Sequence, residues 1–466
     1  MDISENLKQN LEYFKQELNV KQNFDIVYRD FKIMDKNACM FFIDGFVPDN
    51  SIGRLFEAFK QMNNTDFMAN AEEFCARCIP FCDVSLESSS EIITTGILSG
   101  RVAVFVEGFN KAAMVDIRTY PQRSTAEPNK EQVMRGSKDG FVETLVLNAA
   151  LLRRRIRTPD FCVEHFEVGK ISKTDVALCY IKSRVNKKVL EKIRNKINSI
   201  ETPALTMNQQ SLADLLVKKR WLNPFPKFRY TERVDTASAQ IMEGNIAILV
   251  DNAPSVMMLP NSLFDMMEEA NDFYFPPITG TYLRLIRYLI AILTTIATPL
   301  WLLFLQNPQW IPEWLEFIKV SDPVNIPVII QLLILEVAVD GLKLASLNTP
   351  SMMTTTLSMI GGIIVGDFAV KTGWFAPECM LYMAFVAIAN FSLPSYELSY
   401  ALKFMRIITL ILTALFNVWG FAAGVIINLL SICFNKTATG YSYLYPLIPF
   451  NWKVLKRKFV RVQLEK

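Results

Sequence analysis

Four stretches free of Asp, Glu, Lys and Arg crowd the last two-fifths of this 466-residue chain: 288–312, 344–366, 379–396 and 407–435. A helix needs roughly 20 apolar residues to cross the hydrocarbon of a bilayer. At least three of these runs meet that length and the shortest is borderline. A chain that is 51% hydrophobic, with 33 Phe and so uneven a distribution, is too apolar for one water-soluble core. The pattern predicts an integral membrane protein.

Residues 1–275 instead mix charged and apolar positions at ordinary globular frequencies. The opening "MDISENLKQNLEYFKQEL" is acidic and amphipathic, unlike the basic and then apolar start of a cleavable signal. The leading domain is therefore expected to stay in the cytoplasm. A formal charge of +3 singles out no class of partner, and no nucleic acid is expected. Of eight cysteines, Cys379 and Cys433 fall in apolar segments and the rest in the expected cytosolic part, where disulfides do not persist. "CARCIPFC" spaces Cys75, Cys78 and Cys82 in a way that suits zinc, but zinc takes four ligands and no fourth Cys or His follows nearby. These three are weak metal candidates, and inert thiols are the expectation.

"CMFFIDGF" (39–46), "VAVFVEGF" (102–109) and "IAILVDNA" (246–253) each read as a buried strand entering a turn. The second and third continue as hairpins through 111–120 and 255–260, and helical spacing runs over 51–62. Two α+β lobes follow, with a hint of duplication. The polar segment 120–141 between them carries four basic side chains and reads as a linker or clamp. Helical spacing over 141–156, with Asp139 as N-cap, puts Val142, Leu145, Val146, Ala149 and Leu152 on one face. It ends in Arg153, Arg154 and Arg155, which suit a helix C-terminus. These three, with Arg135 of the linker, are the candidates for a lobe or subunit contact. "RGSKDG" (135–140) lacks the spacing of a phosphate loop. His165, the sole histidine, alternates with apolar residues and reads as a strand-face residue. No set of nucleophile, base and oxyanion donors can be assembled, so neither an enzyme nor a cofactor is expected.

The first span, about 282–305, begins with Arg284 and Arg287 and is followed by an acidic, Trp-containing segment, which places the leading domain on the cytoplasmic side. The second apolar element, about 324–346, contains "LILEVAVDGLKLA". Its Glu336, Asp340 and Lys343 form one stripe at i, i+4 and i+7. Facing lipid would cost several kcal/mol, so the stripe must face protein or water. It is either an internal salt bridge that fixes helix packing or the wall of an ion pathway. The third element, about 351–371, holds Thr355, Ser358, Gly361, Gly362, Gly366 and Asp367, small and hydroxyl-bearing residues suited to close helix contacts or a narrow wet pore. Together with Glu336 and Asp340 they are the ion-pathway candidates. A fourth element covers about 376–393 and a fifth about 402–434, with a possible break at Gly420. The tail 451–466 has six basic side chains against one acid and is expected in the cytosol. Both ends inside require an even number of crossings, hence a re-entrant segment or a hairpin within 402–434; four crossings plus one shorter or re-entrant element is the favoured count. The expected fold class is an α+β two-lobed cytosolic domain followed by an α-helical polytopic membrane domain. Its parts are lobe 1 at 1–125, linker and lobe 2 at 126–275, the transmembrane domain at 276–445 and a basic tail at 446–466.

"RTYPQRSTAEPNKEQVMRGSKDGFVETLVLNAALLRRRIR", "GKISKTDVALCYI", "FRYTERVDTASAQIMEGNIAILVDNAPSVMMLP", "TGTYLRLIRY", "PSYELSYALKFMR" and "YLYPLIPFN" together resemble the A-subunit family of GerA-type spore germinant receptors, from about residue 25 to 460. The short N-terminus, "TERVD", "PSYELSYA" and "YPLIPFN" are most similar to its stage V sporulation protein AF branch. The resemblance implies a protein of the inner spore membrane whose two-lobed domain faces the spore core. It implies a homo-oligomer, a pentamer, forming a channel for monovalent cations such as potassium. In the AF branch the implied partner is a small membrane protein and the implied role is to amplify germination. In the nutrient-receptor branch, which is the alternative, the partners are B and C subunits.

Overall fold

A computed structural model of the chain describes residues 2–62, 70–121, 131, 135–217, 223–321, 325–348 and 369–462. They form two compact units, Met1–Lys219 with Phe228–Pro260, and Arg220–Lys227 with Asn261–Lys466.

The first unit uses one arrangement twice. In lobe 1, α1 (Leu7–Glu17), β1 (Ile26–Ile33), β2 (Lys36–Ile43), α2 (Asp49–Lys60), α3 (Ala71–Cys78), β3 (Val84–Glu87), α4 (Ser90–Leu98), β4 (Val102–Val106) and β5 (Ala112–Val115) build an antiparallel sheet ordered β1-β2-β4-β5-β3. In lobe 2, α5 (Leu145–Arg155), β6 (Phe161–Val168), β7 (Thr174–Ile181), α6 (Lys187–Asn198), α7 (Asn208–Leu216), β8 (Arg229–Thr231), α8 (Val234–Met242), β9 (Ile246–Val250) and β10 (Val256–Leu259) repeat the order as β6-β7-β9-β10-β8. In lobe 1, Phe41 and Phe105 meet Phe14 of α1 on one face of the sheet, while Phe31 meets Phe56 edge to face and stacks on Phe59 of α2 on the other. Strands buried on both faces read as continuous apolar runs, which is why they were legible.

The repeat extends to individual side chains. Asn10 grips the backbone of Ser4, Oδ1 accepting from its N–H at 3.0 Å and Nδ2 donating to its C=O at 2.6 Å; Asn148 does the same to Val142 at 2.8 and 2.5 Å. Gly100 and Gly244 make the turns from α4 into β4 and from α8 into β9 at φ +99° and +103°, a conformation that favours glycine. Of the three similar strand passages, 102–109 and 246–253 occupy equivalent places, whereas 39–46 corresponds to β7. The helix expected from an Asp139 cap starts later, at Leu145 with Thr144 as N-cap. Gly140 is bridged to Arg233 and Phe141 donates to the Glu232 carbonyl at 2.9 Å, so these residues are held extended.

The second unit is helical: α9 (Leu263–Met266), α10 (Asn271–Tyr274), α11 (Pro277–Gln306), α12 (Val328–Asn348), α13 (Pro377–Phe391), α14 (Tyr396–Cys433) and α15 (Trp452–Phe459). Among the described residues, α11 and α14 are long and apolar enough to cross a membrane. α14 is broken at Asn417 (φ 52°, ψ −127°), three residues before the expected Gly420. Its arms, 396–416 and 418–433, fold back on each other. A Cβ on Gly420 would lie 1.8 Å from the Leu412 carbonyl oxygen and one on Gly424 2.8 Å from Thr409 Cα, while Asn428 Nδ2 donates to Thr409 Oγ1 at 3.0 Å. The two glycines therefore allow close antiparallel contact. The long fifth run is a helical hairpin.

Hydrogen bonds fix the directions of the helices. The Thr294 carbonyl accepts from Arg406 at 2.9 Å and Gln306 Nε2 donates to the Ala414 carbonyl at 3.2 Å, so α11 and the first arm of α14 run parallel. Gln331 Oε1 accepts from Ala376 N–H at 2.8 Å and Lys343 lies 4.7 Å from the Phe391 ring, so α12 and α13 run parallel to each other. The boundary between units falls at Pro260 rather than at 275, because Asp265, Glu268, Glu269 and Asp272 pair with Lys458, Arg284 and Arg287 of the helical unit.

Candidate functional site: buried charges among apolar helices

The acidic stripe of α12 meets a basic stripe of α14. Glu336, 3% exposed, accepts from Arg406 Nε on Oε1 at 2.7 Å, with Nη2 in charge contact with the same oxygen at 2.6 Å, and Arg406 is itself fully buried. Lys403, one turn earlier, lies 3.2 Å from Glu336 Oε2 and 2.5 Å from Asp340 Oδ2, and also donates to the Glu336 carbonyl at 3.1 Å. The acids at i and i+4 of one helix thus match bases at i+3 and i of an antiparallel neighbour. Lys343 leaves this line; its ammonium lies over the rings of Phe391 and Tyr400, at 4.7 and 5.5 Å. Oδ1 of Asp340 and the hydroxyl of Thr294 are buried without a hydrogen-bond partner. The cluster is an internally neutralised network whose members share partners, placed among otherwise apolar helices.

Lys403 and Arg406 were missed by the sequence reading. Their signal was available: two acids on α12 lacked enough cations on their own helix, and two bases stood one turn apart just before the apolar run 407–435. The other pathway candidates, Thr355, Ser358, Gly361, Gly362, Gly366 and Asp367, lie outside the described residues.

In the α+β unit Arg153 is fully buried and joins the lobes. Nε and Nη2 hold Asp25 of lobe 1 at 2.8 and 2.9 Å, Nη2 donates to Asn23 Oδ1 at 3.3 Å, and Nη1 donates to the Phe161 carbonyl of lobe 2 at 3.0 Å. Of the lobe or subunit contact candidates, Arg153 is thus the one that bonds both lobes. Arg154 stacks 4.9 Å from the Tyr120 ring and donates to the Pro121 carbonyl at 3.4 Å. Arg155 sits 3.9 Å from Asp139, and Arg135 is exposed. His165 is on β6, its Nε2 2.9 Å from Asp175 Oδ1. The two line an inter-lobe cleft of about 280 Å³ together with Asp44 and Asp251. Burial, then the neighbouring Cys78, pushes the Cys75 thiol up to about 11, and burial raises Cys78 as well. Among the described residues no group of three or more His, Cys, Asp or Glu side chains is arranged to hold a metal ion.

A family model described as Bacillus/Clostridium GerA spore germination protein matches residues 12–466. Stage V sporulation protein AF of Bacillus subtilis (strain 168) is 35% identical over 460 residues, covering 98% of this chain and 93% of that protein. Spore germination protein KA of the same organism is 26% identical over 467 residues, with coverage of 99% and 85%. Among solved structures, the N-terminal domain of the A subunit of the Bacillus megaterium spore germinant receptor GerK3 matches 55% of this chain and 96% of its own, at 26% identity and a TM-score of 0.42.

Proposed function

This chain belongs to the GerA family of Bacillus/Clostridium spore germination proteins, and from that premise we propose that it is a multi-pass protein of the inner spore membrane. In this reading it is one subunit of a homo-oligomeric channel, a pentamer, that passes monovalent cations such as potassium and amplifies the germination response. The α+β unit faces the cytosol, and a small membrane protein is the partner. The observation that carries the reading is the Glu336–Arg406–Lys403–Asp340 network. Buried charges inside apolar helices are costly and rarely needed for packing alone. Here they are shared rather than matched one to one. Lys403 contacts both carboxylates, so a small shift of α14 along α12 can pass it from Glu336 to Asp340 without exposing a bare charge. Such a network suits a gate between two arrangements, and acids beside a conduction path favour cations. The candidates in 351–367 complete the pathway on side-chain chemistry.

A second reading is a non-conducting scaffold or a nutrient-receptor A subunit working with B and C subunits. It is favoured by the fact that each acid already has a cation within the same chain. Potassium flux from liposomes holding purified protein separates the two. The channel reading expects flux that Glu336→Gln and a bulky substitution at Gly362 both alter. Sealed vesicles carrying a folded oligomer would instead support the scaffold.

A further inference from the structure

We propose that the segment 445–462 is an interfacial anchor that binds the acidic phospholipid headgroups of the bilayer crossed by the protein's own helices. The inference rests on the reading of α11 as a membrane span.

The segment is held firmly against the start of α11. Arg284 Nη1 donates to the Arg457 carbonyl at 2.8 Å, and Arg461 N–H donates to Thr281 Oγ1 at 3.1 Å. Lys458 pairs with Asp265 and Glu268 at 2.5 and 3.2 Å, and the Phe459 ring lies 4.7 Å from Tyr288. Gly280 makes the approach possible, since a Cβ there would stand 3.0 Å from Arg461 Cδ and 2.3 Å from the Asp272 carbonyl oxygen. Leu455, Lys458 and Phe459 thus form the inner face of α15. Lys453, Lys456 and Arg457 fall on the opposite, exposed face, where no acid among the described residues forms an ion pair with them. The nearby acids are engaged elsewhere: Asp265 and Glu268 with Lys458, Asp272 with Arg284 and Arg287, Glu269 with Arg287.

Just before this cationic face come Tyr445, Leu447, Ile448, Phe450 and Trp452, all exposed; Phe450 is 67% and Trp452 63% accessible, with their rings 6.4 Å apart. At the same end, α11 exposes Ile278 and Tyr282. So many exposed apolar and aromatic side chains in one short segment mark an interaction or membrane site. Bordered by unpaired Lys and Arg, it has the composition of a segment lying in the headgroup layer, aromatic rings at the acyl boundary and ammonium groups on anionic phosphates. Charge complementarity therefore selects an acidic lipid over a neutral one.

The test places the full chain in nanodiscs of phosphatidylcholine with and without phosphatidylglycerol, one of the two lipids being brominated in turn. Emission of Trp452 is isolated by difference against Trp452→Phe, and that of Trp419, 83% exposed on the second arm of α14, against Trp419→Phe. The expected result is quenching of Trp452 that is stronger from the brominated acidic lipid than from the brominated neutral one. Salt, and the triple change Lys453→Gln, Lys456→Gln, Arg457→Gln, should abolish that preference. Quenching of Trp419 without any of Trp452, or equal quenching of Trp452 by both lipids, overturns the anchor and leaves the membrane reading standing. Absence of quenching at both tryptophans overturns the membrane reading as well. Disulfide cross-links between copies through Trp452→Cys would assign the face to a second copy and also overturn the proposal.

Discussion

The two units each bury an arginine against a carboxylate, and they do so differently. Arg153 is matched to Asp25 alone by two parallel hydrogen bonds, and its remaining donors reach Asn23 and the Phe161 carbonyl. That pair is closed: moving either partner strands the other. Arg406 gives both of its carboxylate contacts to one oxygen of Glu336, whose second oxygen takes Lys403, which in turn takes Asp340. That network is shared at its centre, because Glu336 meets both cations and Lys403 both carboxylates, while Arg406 and Asp340 each meet one. A saturated pair fixes one geometry, whereas a shared one permits several of similar energy. This is the physical ground for reading the first as architecture and the second as a site that moves.

The difference has measurable consequences. Arg153→Met should be the most damaging change, because it leaves Asp25 buried and unpaired at a cost of roughly 3–5 kcal/mol, read as a large drop in the unfolding midpoint of the α+β unit. Adding Asp25→Leu should recover most of the loss. A double variant no more stable than Arg153→Met would mean that Arg153 acts by packing rather than by pairing. Gly420→Leu comes next. Its side chain would run into the Leu412 carbonyl, and overpacking of this kind costs about 1–3 kcal/mol; lower heat resistance of the detergent-solubilised protein should report it, with the α+β unit unaffected.

Much of this was legible from pattern alone. Doubly buried strands and the charge-free runs announce themselves locally, and the acid stripe on α12 had to face something polar. What was not legible depended on partners far away in sequence. Nothing near Arg153 distinguishes it from Arg154 and Arg155; its role comes from Asp25, supplied by the other lobe. The turn in α14 sits at Asn417 and not at the glycine the sequence advertises, since Gly420 and Gly424 serve the contact between arms. The duplication was nearly invisible because equivalent positions keep only their shape-bearing residues, such as Asn10 with Asn148 and Gly100 with Gly244.

Lys403→Met probes the shared network directly. Glu336 retains Arg406, and Asp340, at 31% side-chain exposure, is much the less buried of the two acids. The expected loss is therefore only about 1–2 kcal/mol, below that of Arg153→Met, even though both changes delete a buried cation. Equal losses for the two would remove the distinction between closed and shared pairs.

The smallest effect concerns a half-buried acid. Glu131 of the linker accepts from the Thr231 hydroxyl at 2.7 Å and from Glu232 N–H at 3.2 Å, while its carbonyl accepts from Arg233 at 3.2 Å. Burial pushes its carboxyl above the usual range, against the pull of Arg229, Thr231 and Arg233. A carboxyl whose folded pKa exceeds its unfolded one favours the folded state most when protonated. Its contribution is full below the unfolded pKa and fades as pH rises through the raised folded value. Acidification from neutral pH should thus tighten this linker contact, seen as slower amide exchange at Thr231 and Glu232, and Glu131→Gln should flatten the dependence. A dependence that Glu131→Gln leaves unchanged would mean that the tightening does not come from this carboxyl.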